Sequence, residues 1–490
     1  MSLARRCGVH DAARQAACAG LLQRVQDEGI ERLRIAWGDL HGTFRGKTLV
    51  CGGDGGALPE VLESGIGMVS TSMLKDTADR TAFAVFEPGA LDSLPGFGAA
   101  NNVVLLPDPS TFTVLPWAPG TAWLRAEPYF GDGTAVAVDP RRVLQRALGE
   151  LAAAGFGLRC GLEVEFHIYR ITDAVQVPDA TAWPPEPPTV ALIHPGYQLL
   201  SEGWADLCDE PLAIVQRTAL GLGLPLRSLE VELGPSQVEA VFAPTDALTA
   251  ADQMLLFRNA VRQALRRAGY HASFVCRPPF AGAIASGWHL HQSLVDAQGG
   301  NAMCCDAARG DAHGALQVLS PAGAQWLGGL LAHAAGMAAL CAPTVTGYSR
   351  YQGSLMAPQA ALWGRDNRGA MLRVIGGPGD AGTRIENRLG EPMANPYLCI
   401  AAQIFAGLDG LARGLDPGPA TSAPYAASAT PLPASLGAAL QALTADAVLQ
   451  RGLGAPMALV FQAVKQQELR RHAQAEDKVL WERREYFGRH

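Results

Sequence analysis

The chain has 490 residues, of which 48% are hydrophobic and 17% charged, enough for two or three domains around a large buried core. Its net charge of −7 and pI near 5.9, with dispersed basic residues, exclude a nucleic acid or an anionic membrane as principal partner. Ten scattered cysteines form no Cys-x-x-Cys pair, which argues against zinc ribbons and dithiol redox motifs and for reduced thiols in the cytoplasm.

Arg5 and Arg6 precede a polar segment with no long apolar run, so the N-terminus reads as a helix rather than a signal peptide. Residues 14–29 then have helical periodicity, 32–37 read as a strand, and a polar hairpin or loop follows at Gly38–Gly46. Short strands are expected at 83–86 and 102–106, and the Pro- and Gly-rich stretch 107–139 as mostly loop. A domain boundary near there divides the chain into 1–136 and 137–490. Beyond it, helices are expected at 140–153, 208–221, 247–268, 320–341 and 395–413. Strands are expected at 160–169, 228–232, 237–242, 271–276 and 383–388, with a Pro-rich insertion at 176–195. Residues 417–433 read as a low-complexity linker and 435–487 as a polar helical tail. The apolar run Leu327–Pro343 is too short and too rich in Ala and Gly for a membrane span and fits a packed helix.

Four clusters carry the chemistry. In Gly161-Leu-Glu-Val-Glu-Phe-His-Ile-Tyr-Arg170, alternation along a strand turns Glu163 and Glu165 to one face of an apolar segment, where a cation between them would relieve repulsion and lost hydration. Glu232 and Glu239 flank a Gly-Pro turn. His289 and His291 share a face within Ser286-Gly-Trp-His-Leu-His-Gln-Ser-Leu294, and Arg384, Glu386 and Arg388 alternate plus, minus, plus on another strand. Taken singly, Glu-x-Glu is more often a solvated strand face and Arg-x-Glu-x-Arg a surface ladder. Together they assemble five carboxylates with one or two imidazoles, a donor set for Mg²⁺ or Mn²⁺ rather than zinc, and too many carboxylates for one ion. Two hard cations beside several arginines point to phosphoryl transfer from a nucleotide, although no Walker-type loop is present.

In order, Gly38-Asp-Leu-His-Gly-Thr-Phe-Arg-Gly-Lys47, Gly161-Leu-Glu-Val-Glu-Phe, Glu232 with Gln237-Val-Glu239, Ser286-Gly-Trp-His-Leu-His-Gln-Ser-Leu, Pro343-Thr with Tyr348-Ser-Arg350, Asn367-Arg368 with Arg373, and Arg384-Ile-Glu-Asn-Arg-Leu with Ala394-Asn-Pro-Tyr397 run nearly the whole chain. This series resembles the glutamine synthetase superfamily of the bacterial type I kind. The resemblance implies an α+β protein: an N-terminal β-grasp domain and a catalytic domain with a curved antiparallel sheet flanked by helices. It implies ATP and two or more Mg²⁺ or Mn²⁺ ions, with L-glutamate and an amine as substrates, and stacked hexameric rings whose active sites lie between subunits. Carried over, Glu165, Glu232 and Glu239 would bind one ion, and Glu163, His289 and Glu386 the other. His291, Ser293 and Arg373 would contact the nucleotide, Arg350 and Arg388 would clamp glutamate, and Arg368 would bind phosphate. Asp76, from a neighbouring subunit, would match the family's aspartate near the amine.

The chain departs from the family at a flap glutamate that shields the acyl-phosphate and takes a proton from ammonium. Six residues after Arg350 stands Met356, which shields but accepts no proton. An Asn-Gly pair that contacts glutamate is replaced by Ile284-Ala285. With Leu355, Met356 and Trp363 nearby, these changes favour an organic amine, apolar or aromatic, as acceptor, although all three side chains serve equally as flap packing. The alternatives are plain glutamate–ammonia ligation, a ring without catalysis, and an unrelated guanidine-kinase-type phosphotransferase.

Overall fold

The computed structural model describes residues 1–52, 56–178, 181–310, 316–352, 356–426 and 428–490. They fall into two compact units. The first comprises residues 1–140 with 217–224 and 456–464, and the second comprises 141–216, 225–455 and 465–490.

In the first unit the hairpin is made by Asp39, whose Oδ1 accepts the backbone N–H of His41 and of Thr43, each at 2.9 Å, with Gly42 left-handed at φ 70°. It joins Arg32–Gly38 to Phe44–Val50. The 107–139 stretch is not mostly loop, because Thr121–Tyr129 forms a nine-residue strand parallel to Arg32–Gly38 in the middle of a six-stranded sheet. Eight of its nine residues are buried, and Pro128 is tolerated inside the strand. Asn102–Pro107 and Ile66–Val69 extend the sheet. A parallel pair at the centre flanked by antiparallel strands is the β-grasp pattern. No strand forms at 83–86: Phe86 is exposed, Val85 buried, and the segment turns before Pro88-Gly89.

In the second unit the strand Gly157–Asp173 is the axis of a ten-stranded, largely antiparallel sheet. Its alternation separates two jobs. Leu158, Cys160, Leu162, Val164, Phe166 and Ile168 are buried in the core, each large apolar side chain contributing about 1.5–3 kcal/mol. Phe166 stacks on Phe274 at 4.8 Å and meets Phe257 of the helix Ala247–Arg267 edge-on. Glu163, Glu165 and His167 occupy the opposite face.

The apolar run forms not one helix but two, Pro321–Ala332 and Ala334–Cys341, bent by 77° at His333. Gly329 and Gly410 let the helix Pro396–Arg413 approach closely, since a Cβ on either would lie 2.1 Å from a carbonyl oxygen of the other helix. Among the described residues no single helix is long and apolar enough to cross a membrane. His333 holds the bend with Nδ1 2.7 Å from Asp446 and Nε2 2.9 Å from Asp409. Burial opposes its charge, but the two carboxylates outweigh burial and raise its pKa above 6.5. The stabilisation is therefore full below pH 6.5 and is lost as pH rises through the higher folded value. His333→Gln is expected to cost about 2 kcal/mol in denaturant unfolding at pH 6, and clearly less at pH 9.

The 417–433 stretch is not a free linker. Thr421 N donates to Trp363 O at 2.9 Å, Ala361 N to Thr430 O at 2.8 Å and Leu432 N to Gln359 O at 3.0 Å, so it straps the 357–369 region. The tail folds as helices Leu436–Ala445, Ala447–Leu453, Ala455–Gln474 and Lys478–Glu482, and the first is largely apolar rather than polar.

Candidate active site

Pairing register brings the sequence-predicted residues into rows across one face of the large sheet. Glu239 lies opposite Glu165 and beside Glu230, Glu163 opposite His289, and Glu386 between His291 and Arg373. Glu232 stands at the turn leading into the strand Gln237–Phe242.

Glu163 is the shared member. Its Oε1 lies 2.9 Å from His291 Nε2 and its Oε2 3.4 Å from His289 Nδ1. Two sets of ligand atoms converge within 4.8 Å: Glu163, Glu239 and His289 in one, and Glu163, His291 and Glu386 in the other. In these sets Glu239 stands with His289 and Glu163, and His291 with Glu163 and Glu386. Arg384 Nε donates to His291 Nδ1 at 3.1 Å, which places the imidazole hydrogen on Nε2, facing Glu163.

Glu239 is only 7% exposed. Burial and the neighbouring Glu165, Glu163, Glu232 and Glu230 push its pKa up to about 10. Burial and Glu232 push Glu165 up to about 7. Burial and Arg388 push His289 down to about 4, so the imidazole is neutral and acts on Glu163 by hydrogen bonding. Against burial, those hydrogen bonds from His289 and His291 hold Glu163 low. Buried His289 Nε2 has no hydrogen-bond partner. Crowded carboxylates whose repulsion a divalent cation would cancel, beside a neutral buried imidazole nitrogen, fit oxygen-preferring ions with one nitrogen ligand.

Glu386 is fully buried. Burial opposes its charge, but His289, which is protonated at the low pH where Glu386 titrates, and Arg388 outweigh burial and hold it at about 2. It accepts from Arg388 Nη1 at 2.5 Å and Arg373 Nη1 at 2.9 Å. Arg350 Nη1 donates to Arg388 O at 2.8 Å, and Arg388 Nη2 to Met356 O at 3.2 Å. Ser293 Oγ donates to Thr383 O at 2.9 Å and, with His291, Glu163 and Arg384, lines a cavity of about 440 Å³. Arg368 is exposed at the turn before the strand Leu372–Ile375. Asp76 belongs to the first unit, where it is buried and its Oδ1 accepts from Ala78 N and Arg80 N, both at 2.9 Å. Leu355 lies outside the described residues. Trp363 is buried under the strap, with Nε1 donating to Gly418 O at 3.1 Å.

Three contributors escaped the sequence reading. Gln237 Nε2 donates to Glu165 Oε2 at 3.1 Å and so orients it, and Gly287 N donates to the same oxygen at 2.8 Å. Glu230 adds negative charge behind Glu239. Alternation from Glu239 was the signal for Gln237, since both share one face.

Divalent ions should stabilise this cluster. Mn²⁺ at about 100 times its Kd is expected to add roughly 2.7 kcal/mol over EDTA-treated protein, read as a rise in Tm. Glu239→Gln should be at least as stable in EDTA, because it relieves repulsion, but show a much smaller Mn²⁺ response.

Comparison with known proteins shows the family. The family described as glutamine synthetase, catalytic domain, matches residues 137–486. A γ-glutamylanilide synthase of Acinetobacter sp is 36% identical over 96% of this chain and 95% of its own length. The γ-glutamylethanolamide synthetase GlnA4 of Streptomyces coelicolor is 30% identical over 83% of this chain and 82% of its own. A solved GmaS–ADP complex is 29% identical, with a TM-score of 0.74 over 95% of this chain and 98% of that one.

Proposed function

This chain belongs to the glutamine synthetase family and is an ATP-dependent, amide-forming carbon–nitrogen ligase that uses divalent cations, and we propose that it joins the γ-carboxylate of L-glutamate to an organic amine, with arylamines as the preferred acceptors. The observation that carries this reading is Met356, which stands at the flap position with its carbonyl on Arg388 and puts no carboxylate where ammonium would lose its proton. An arylamine is largely unprotonated at neutral pH and needs no such base. The γ-glutamylanilide synthase, whose likeness spans nearly the full chain, supports the same class.

In this mechanism ATP occupies the cavity lined by His291 and Ser293, and Arg373, bonded to Glu386 and Asp366, contacts the nucleotide. Arg350 and Arg388 hold glutamate and Arg368 the transferring phosphate. Two Mg²⁺ or Mn²⁺ ions, held by Glu163, Glu165, Glu232, Glu239, His289 and Glu386, would neutralise the repulsion between two anionic reactants. The γ-carboxylate oxygen attacks the γ-phosphorus and the bond to the ADP oxygen breaks, giving γ-glutamyl phosphate and ADP. The amine nitrogen then attacks the acyl carbon, phosphate leaves, and the nitrogen loses a proton to yield the amide. Met356 and the strap behind it exclude water from the acyl-phosphate. Asp76, presented by a neighbouring subunit of stacked hexameric rings in the cytoplasm, would stand near the amine.

Phosphate release coupled to glutamate, measured across ammonia, ethylamine, putrescine and aniline, tests the reading. Aniline is expected to give the highest kcat/KM. Ammonia as the best acceptor would overturn it.

A further inference from the structure

The strand Arg384–Gly390 carries Glu386 and Arg388 into the site, and the residue after it is an acid that the mechanism does not use. Glu391 is 1% exposed, and a buried carboxylate costs stability that a neutral side chain would spare. Its bonds show what it holds. Oε1 accepts from Thr344 N and Oε2 from Thr344 Oγ1, each at 2.8 Å. Thr344 Oγ1 in turn accepts from Gly347 N at 3.1 Å, and a Cβ on Gly347 would lie 2.5 Å from Glu391 Oε2. The start of the 344–351 segment is therefore pinned onto Glu391 with no room for slack.

The end of that segment is the turn Gly347–Tyr351. Tyr351 donates its hydroxyl to Leu389 O at 2.5 Å, and Arg350 Nη1 donates to Arg388 O at 2.8 Å. Residues 388, 389 and 391 thus form one rigid edge along which the turn is laid. Arg350 Nη2 ends beside Gly287 and His289, 2.6 Å from where a Cβ of residue 287 would sit. The guanidinium is aimed by contacts at both ends of its turn; at the start Glu391 holds Thr344 through two bonds of 2.8 Å, with a longer bond from Val345 N to the Tyr486 hydroxyl at 3.4 Å beside them.

We propose that Glu391, through Thr344, is a positioning residue that aims Arg350 at the glutamate substrate. The inference rests on the reading of Arg350 as a glutamate-binding residue, so the test separates the two. Steady-state kinetics with glutamate and ATP varied in turn would compare Glu391→Gln, Thr344→Val, Thr344→Ser, Arg350→Lys and the double variant Glu391→Gln/Arg350→Lys. Misaiming the guanidinium should raise the glutamate KM about tenfold in Glu391→Gln and Thr344→Val, with the ATP KM and the Mn²⁺-induced rise in Tm unchanged. Thr344→Ser keeps the hydroxyl and should stay within about twofold of the parent. The double variant should be no worse than Arg350→Lys, because both changes act through one side chain. If Arg350→Lys leaves the glutamate KM unchanged, the reading of Arg350 falls. If Arg350→Lys raises it while Glu391→Gln and Thr344→Val only lower Tm, or add fully to it, the positioning role is overturned. Thr344→Val keeps the Glu391 carboxylate and its bond from Thr344 N, and Thr344→Ser controls for the bonds of the lost hydroxyl, so the pair decides the question even where Glu391→Gln folds poorly.

Discussion

Gly287→Ala is expected to lower kcat/KM by about 10²-fold while moving Tm by no more than a few degrees. The backbone at 287 is not left-handed, so alanine fits its conformation. Its backbone bonds also persist: Gly287 N donates to Glu165 Oε2 at 2.8 Å and Gly287 O accepts from Glu165 N at 3.0 Å. The new methyl, however, would sit 2.6 Å from Arg350 Nη2 and 2.8 Å from His289 Nε2. Both are ends of side chains, so the fold yields locally at about 1–3 kcal/mol rather than failing. The groups that yield are Arg350, proposed to bind glutamate, and His289, proposed to bind an ion, and each must move by most of an ångström. Gly67→Ala, where nothing lies within 4 Å of the added carbon, is the neutral control. Full activity in Gly287→Ala would mean that Arg350 and His289 do not work from where they stand.

The site was legible in the sequence where it depends on strand alternation. Glu163 and Glu165 on one face, His289 and His291 on one face, and Glu386 between two arginines follow from period two alone, and register only had to set the strands side by side. What alternation does not carry is which neighbour each carboxylate meets, because that depends on pairing between distant segments. The shared position of Glu163, the support from Gln237 and the charge of Glu230 all come from such pairing. Fold errors had the same origin. Thr121–Tyr129 reads as loop by its surroundings and becomes a central strand because Arg32–Gly38 offers a partner. The strand expected at 83–86 has no partner and does not form. The stretch 417–433 has linker composition, yet its backbone groups find partners on the 359–367 segment. Low complexity described its side chains correctly and its role poorly.

That strap bears on the acceptor, because it reaches the residue beside Met356: the Tyr425 hydroxyl donates to Ala357 O at 3.3 Å, and Arg388 takes the carbonyl of Met356 itself. Met356 is held from both sides with φ at +65°, and the residue is 48% exposed. A left-handed, non-glycine residue costs stability relative to glycine at the same φ. Glu at this position would meet the same backbone cost and could place a carboxylate at the flap. Met356→Glu is therefore expected to raise kcat/KM for ammonia by about 10²-fold, the lower end of what a positioned base contributes. It should lower kcat/KM for aniline, because a charged, hydrated group replaces apolar cover. Met356→Gly separates the two functions of the side chain. It relieves the left-handed strain and should raise Tm slightly, but it uncovers the acyl-phosphate. ADP should then form faster than amide, with the excess appearing as glutamate and phosphate lost to water. Tight coupling in Met356→Gly would mean that the strap alone shields the intermediate. An unchanged ammonia rate in Met356→Glu would move the choice of acceptor away from the flap.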